Sequence, residues 1–235
     1  SSVLIASEYL STARGGKGIM LGGVTGITPT EVVVLGAGTA GEYAARTALG
    51  LGAEVRVFDS SLKRLRRIQD HLGQKIFTST MHKYVLQKSL ESADVLIGAV
   101  RNTTTFPRSV VSEEMINGMK RGSFVIDLSI DNGGCIETSK IMNLKNPSFV
   151  KNDVVHFCVP NIASSVSGTA SQALSNIIAP FILGVVSDGG LVPSIRSSNI
   201  VKSGIYMYKG VITHQGIAEE RGLSYKELDL LLAAY

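Results

Sequence analysis

The chain has 235 residues, of which 44% are hydrophobic, so it is long enough to bury a full core as a single domain with appendages. Its net charge of +4 is mild. Basic residues cluster only at Lys63, Arg64, Arg66 and Arg67, without interleaved aromatics, which argues against a nucleic-acid partner. The two cysteines, Cys135 and Cys158, form no CxxC pair and have no histidine at metal spacing. No zinc or other metal site is read, and reduced core thiols in a cytoplasmic protein are expected. The longest apolar run, Ile177 to Val186, contains Pro180 and Gly184 and is too short to span a bilayer, so no membrane partner is expected.

The chain opens on SSVLIASEYL, with no initiator Met and already helix-compatible, as a piece of a longer polypeptide would. Glu31 to Leu35 is a β-branched apolar run suited to a buried parallel strand, and it leads directly into Gly36-Ala37-Gly38-Thr39-Ala40-Gly41. In this GxGxxG turn Gly36 would permit the tight turn, Gly38 would let backbone approach a pyrophosphate, and Gly41 would let the next helix pack close to the strand. The phosphates would sit on free N–H groups around Thr39 and Ala40, at the positive end of that helix. Thr39 to Leu51 is Ala-rich and helical in pattern, and Glu54 to Phe58 is a second apolar strand that closes on Asp59. Asp59 lies 18 residues past Gly41, near the spacing of about 20 expected for a carboxylate that binds ribose hydroxyls. That favours NAD over NADP, whose 2′-phosphate would meet the Asp59 charge. Lys63 and Arg64, one turn on, keep NADP as the lesser alternative.

Strand and helix go on alternating. Helix Ser61 to Leu72 places Leu62, Leu65, Ile68 and Leu72 on an apolar stripe opposite its basic face, which reads as solvated. Strand Lys75 to Ser79, helix His82 to Glu91, strand Asp94 to Ala99, a loop at 101–109, helix Ser112 to Met119 and strand Phe124 to Leu128 come next. Strand Val154 to Val159 then precedes a long helix of Ser164 to Val186. The pattern is that of an α/β protein with a doubly wound parallel sheet. Three parts are expected: an interdomain helix over 1–14, a Rossmann NAD-binding domain over 15–187, and a tail over 188–235 belonging to a second, interrupted domain.

In open α/β sheets ligands bind outside the carboxyl ends of the strands, which singles out Val100 and Arg101, the SIDNGGC segment after Leu128, and Pro160-Asn161. Asp131 in that segment could accept a hydrogen bond from a protonated amine or orient a catalytic acid. It could equally cap a turn, the commoner fate of Asp before Asn-Gly. Asp127, ending a buried strand, is expected to be tied up by backbone donors. His156 lies in an apolar strand and reads as a satisfied core histidine.

Several segments in order carry a resemblance to a known family: RGGKGIMLGGVTGITPTEVVVLGAGTAG, ADVLIGAV, VIDLSIDNGGCIETS, VVHFCVPNIAS and YKGVITHQGIAEERGL. The chain resembles the nucleotide-binding and C-terminal part of the alanine dehydrogenase and pyridine nucleotide transhydrogenase group. The resemblance implies that Asp131 is the catalytic aspartate beside the nicotinamide, and it points to Asp59 and Arg64 for the adenosine ribose. It likewise implies Val100 and Leu128 packing along the cofactor and Asn161 with Ile162 at the nicotinamide end. The chain departs from the family at Asn132, where Gln is common, and at Ser165 and Gly168, where relatives tend to place Pro or Arg. The family's substrate-binding Arg and Lys and its catalytic His lie in an amino-terminal region with no counterpart in this sequence, so none of His71, His82, His156 and His214 takes that role.

The reaction so implied is reversible NAD-dependent oxidative deamination of alanine to pyruvate and ammonia by a homo-oligomer, this chain carrying the cofactor half and being inactive alone. Two other readings stand beside it, the soluble hydride-transfer component of a transhydrogenase and a non-catalytic NAD-binding module.

Overall fold

The computed structural model describes residues 1–100 and 109–233, so Arg101 and most of the expected 101–109 loop lie outside the described residues. The chain divides into two compact units, Ser1–Ser167 and Gly168–Tyr235. The first contains α1 (Ser2–Leu10), β1 (Glu31–Leu35), α2 (Thr39–Gly50), β2 (Glu54–Phe58), α3 (Leu62–Leu72), β3 (Phe77–Ser79) and α4 (Lys83–Ser92). It continues through β4 (Val95–Gly98), α5 (Glu113–Asn117), β5 (Phe124–Asp127), β6 (Ser148–Lys151) and β7 (Val154–Phe157).

The seven strands form one sheet in the order β3-β2-β1-β4-β5-β7-β6, parallel except for β6, which runs antiparallel to β7. The doubly wound α/β fold expected from the alternation of elements is therefore observed. Its layers follow from the period-2 geometry of a strand. Val32 and Val34 of β1 point into a core shared with Val3, Ala6 and Leu10 of α1 and Ala44 and Ala48 of α2. Val33 and Leu35 point the other way, into a core with Leu86 and Leu90 of α4 and Ile116 of α5. Covered on both faces, β1 must be apolar at every position past its first, and each such burial is worth about 1.5–3 kcal/mol.

Strand β6 is absent from the sequence-based expectation. Its four residues, SFVK, lie at the sheet edge with Val150 exposed, so the segment lacks the apolar signature of the central strands. Helix α3 also differs in one respect. Leu65 and Ile68 are buried, but Leu62 is exposed, because it is the first residue of the helix and extends past the edge of the packed stripe.

A charged cluster ties the amino ends of the strands together. Asp94, just before β4, accepts from Lys17 Nζ at 3.0 Å, from Lys120 Nζ at 3.2 Å and from the Glu31 N–H at 3.1 Å. Burial alone would push the Asp94 carboxyl upward, but the Glu31 amide and the two ammonium groups outweigh it and hold the group below the usual aspartate range.

The second unit contains most of α6 (Ser167–Ser187), followed by α7 (Leu191–Ser197) and α8 (Asn199–Ser203). A two-stranded hairpin, β8 (Met207–Tyr208) with β9 (Val211–Ile212), precedes α9 (Gln215–Arg221) and α10 (Leu228–Ala233). Ile195, Val201, Leu228 and Leu232 form its small core. Helical geometry extends upstream of the apolar run at 177–186, so the helical segment Ile162–Ser187 spans 26 residues and by length and composition alone could cross a membrane. The short apolar run is the later part of this longer helical segment. The first half of α6 is rich in small polar residues, including Ser167, Thr169, Ser171 and Ser175, and its later apolar side chains such as Ile177 and Leu183 are exposed.

Candidate functional site: a nucleotide cleft at the sheet switch point

The strand order reverses direction at β1, whose neighbours are β2 on one side and β4 on the other, and the turn leaving β1 carries the glycine fingerprint. Gly36 has φ +95, and a Cβ there would lie 2.4 Å from the Ala99 carbonyl oxygen, so the turn admits no other residue. A Cβ on Gly41 would lie 1.7 Å from the Gly36 carbonyl oxygen, which is how α2 approaches the strand so closely. At Gly38 a Cβ would meet nothing within 4 Å, so open space lies before the start of α2. The first intrahelical bond of α2 runs from the Glu42 N–H to the Gly38 carbonyl at 2.8 Å, so the Thr39 and Ala40 amides precede the helical ladder, where an anion is favoured.

Asp59 closes the opposite wall. Its Oδ2 accepts from the Ala37 N–H at 2.7 Å and its Oδ1 from the Ser61 N–H at 2.8 Å, while Arg64 Nη1 stands 3.7 Å from Oδ2. The carboxylate therefore has a structural task that the spacing argument does not anticipate: it pins the glycine turn. Each oxygen carries a second lone pair, so capacity for a ribose hydroxyl remains.

Gly36, Gly38, Thr39, Ala40, Asp59, Arg64 and Val100, all singled out from sequence, line a single cleft of about 430 Å³. A neighbouring cleft of about 360 Å³ shares Ala40 and is lined by Leu128 and Ile162. These dimensions, the space open at Gly38 and the acceptor at Asp59 fit a dinucleotide. Sequence reasoning missed Ser60, Arg67, Met81 and Ala99 in the first cleft. Arg67 was legible in principle, since it lies three residues beyond Arg64 and so on the same helix face. Its assignment to a solvated face is corrected: it lines the cleft and donates to the Ala37 carbonyl at 3.0 Å.

Asp131 and Asn161 line neither cleft but are brought together, although 30 residues separate them. The Asn161 N–H lies 3.3 Å from both carboxylate oxygens of Asp131. Asn161 has φ +51, an uncommon conformation for a residue with a side chain and one that tends to occur at functional sites. Asp131 is exposed in a single 3-10 turn, Ile130–Asn132.

Asp127 organises the base of that loop. Its Oδ1 accepts from the Ser129 N–H at 2.9 Å and its Oδ2 from the Cys135 N–H at 3.0 Å and Ser139 Oγ at 2.8 Å. Burial, with the Asp127 charge beside it, pushes the Cys135 thiol upward, so the sulfur stays protonated and unreactive. His156 is fully buried, with Nε2 2.8 Å from Thr138 Oγ1 and Nδ1 3.0 Å from the Val154 carbonyl. Burial holds its pKa down and keeps it neutral, as a core histidine. His214 accepts from the Ile217 N–H and caps α9.

Comparison with known proteins agrees with this geometry. Residues 2–215 match the family model described as alanine dehydrogenase/PNT, C-terminal domain. The alanine dehydrogenase of Halomonas elongata is 37% identical over 98% of this chain and 62% of its own length. That of Methanococcus maripaludis is 36% identical over 95% of this chain and 60% of its own length. The chain thus spans about three fifths of the curated relatives it matches. A solved L-alanine dehydrogenase superposes with a TM-score of 0.87 at 30% identity, over 94% of this chain and 61% of that one. A transhydrogenase from Sinorhizobium meliloti, 24% identical with a TM-score of 0.65 over 81% of this chain and 51% of its own, shares the fold. With the family model covering residues 2–215 and the glycine turn and Asp59 meeting at the switch point beside β1, the chain belongs to the alanine dehydrogenase/PNT family.

Proposed function

We propose that this chain is the cofactor-binding portion of an NAD-dependent alanine dehydrogenase, which interconverts L-alanine with pyruvate and ammonia. The observation that carries this reading is the convergence of the glycine turn and Asp59 on one cleft, in a chain aligned almost end to end with alanine dehydrogenases. NAD, when bound, supplies the hydride acceptor. The Thr39 and Ala40 amides at the start of α2 hold its pyrophosphate, Asp59 and Arg64 hold the adenosine ribose, and Asp59 repels a 2′-phosphate. Val100 and Leu128 pack along the dinucleotide, and Asn161 with Ile162 lies at its nicotinamide end. Asp131, exposed on a loop anchored by Asp127, places a negative charge where a substrate amine passes through cationic forms, lowering the barrier electrostatically. On this reading residues 188–235 belong with a second domain that binds the substrate, and the enzyme is a homo-oligomer.

Calorimetric titration of the chain with NADH and NADPH tests the cofactor assignment. NADH is expected to bind at least about tenfold more tightly, since one ribose hydrogen bond to a charged acceptor is worth about 1.5–3 kcal/mol. Equal affinity for the two would overturn the role given to Asp59. A transhydrogenase component is the second reading, prompted by the shared fold with the Sinorhizobium meliloti protein. Superposition gives 30% identity and a TM-score of 0.87 with the L-alanine dehydrogenase against 24% and 0.65 with that protein, which favours the first.

A further inference from the structure

Arg67 lies on α3 and lines the cleft together with Gly38, Thr39, Ala40 and Asp59. Its Nη2 donates to the carbonyl of Ala37, a fully buried residue whose N–H is the one held by Asp59. Side chains thus grip Ala37 at both of its backbone polar groups. The Ala37 carbonyl and the Gly38 N–H belong to one rigid peptide plane, so fixing the carbonyl fixes the direction of that amide as well.

The charge of Arg67 is not consumed by this arrangement. Its one acidic neighbour among the described contacts, Glu42, stands 3.8 Å away and is shared. Glu42 is held more closely by His71 Nδ1 at 2.9 Å and also by Arg46 at 3.5 Å. The Arg67 side chain is 45% exposed, and a guanidinium has five N–H donors in a fork that matches phosphate oxygens. A full cation thus stands beside amides whose own positive potential is that of a helix end, roughly half a charge.

We propose that Arg67 is a phosphate-binding residue of the nucleotide site, holding the glycine turn through Ala37 and donating to a pyrophosphate oxygen of the dinucleotide. The inference rests on the reading of this cleft as a dinucleotide site and adds a ligand contact to it. It predicts that part of the affinity is a pyrophosphate affinity, insensitive to the nicotinamide.

The test uses the whole chain with NADH and ADP-ribose, titrated at low and high salt, in the unmodified protein, R67Q and R67K. R67Q is expected to bind both ligands about tenfold or more weakly, with a flatter salt dependence, while loss of the Ala37 hydrogen bond lowers its melting temperature by no more than about 4 °C. R67K, which keeps the charge, is expected to recover most of the salt dependence and part of the affinity. Affinities within twofold in R67Q would overturn the proposal. A loss in R67Q with an unchanged salt slope, or accompanied by a large fall in melting temperature, would also overturn it, reducing Arg67 to a brace for the turn. If the unmodified chain bound neither ligand, the dinucleotide reading itself would fail and this inference with it; unchanged binding in R67Q alone leaves that reading intact.

Discussion

Two glycines a single helical turn apart should fail in opposite ways when a methyl group is added. Gly38 has φ −77 and ψ −173, an extended conformation open to alanine, and a Cβ there meets no atom within 4 Å. Alanine is a poorer N-cap than glycine by about 0.5–1 kcal/mol, but it lowers the entropy of the unfolded chain by about 0.4–1 kcal/mol, so Gly38→Ala should leave stability nearly unchanged. Its methyl group would instead occupy the space through which a pyrophosphate approaches the α2 amides. Loss of two charge-assisted hydrogen bonds at about 1.5 kcal/mol each is about 3 kcal/mol, roughly a 150-fold drop in NADH affinity. At Gly41 the new Cβ would sit 1.7 Å from the Gly36 oxygen, where real contacts essentially never fall below 3.0 Å. The helix or the turn must therefore shift by roughly 1 Å inside a packed core, an overpacking of about 3 kcal/mol. At about 2–4 °C per kcal/mol, Gly41→Ala should melt about 6–12 °C early. Thermal melts and calorimetric NADH titration of both variants check this. The reasoning fails if Gly38→Ala binds NADH normally, or if Gly41→Ala melts with the unmodified protein.

Asp59→Asn removes the charge and turns an NH2 toward one of two backbone donors, so about 2 kcal/mol of stability, or 4–8 °C, should be lost together with the preference for NADH over NADPH. A variant that melts normally would show that the Ala37 and Ser61 bonds contribute nothing. Asp94→Asn should cost about 2 kcal/mol near neutral pH by leaving Lys17 and Lys120 without their counter-charge and turning an NH2 toward the lysines or the Glu31 N–H. Because the folded carboxyl titrates below its ordinary value, this stabilisation is complete above that value and disappears as the pH falls through the folded pKa. Melting curves of the two proteins should therefore converge in acid, and a constant gap there would contradict the assignment. In an alanine-active form of the protein containing this chain, Asp131→Asn should lower turnover about a hundredfold while leaving NADH affinity within about twofold. Asn caps a turn as well as Asp does, so near-normal turnover would make Asp131 a turn residue.

The nucleotide unit was legible because its local and long-range demands coincide. The β-branched run of β1 and the spacing from Gly41 to Asp59 each have few physical solutions, and strand limits at Glu31–Leu35 and Glu54–Phe58 match the sequence pattern to the residue. Edge strand β6 escaped notice because a half-exposed strand needs no apolar pattern. Partnerships formed across the fold were also invisible: Asp94 with Lys17, Arg67 with Ala37, and Asp131 with Asn161 join residues from different elements, and no periodicity links them. The reading of His156 succeeded on environment alone, since a histidine inside an apolar strand has little choice but to be neutral and paired. For the loop after β5, the motif identified the segment, whereas only the folded chain reveals that Asp127 is its anchor.

That anchor separates two jobs usually mixed in a functional loop. By gathering the amide at its entry, Ser129, and the amide at its exit, Cys135, Asp127 closes the peptide between them at its base like a ring. Side chains around the ring, Asp131 and Asn132 among them, are relieved of holding it shut. Asn132, exposed on the ring, can then be exchanged, altering what a ligand meets while the mounting stays the same. For anyone redesigning the specificity of this fold, Asn132 is the position to vary and Asp127 the one to leave alone.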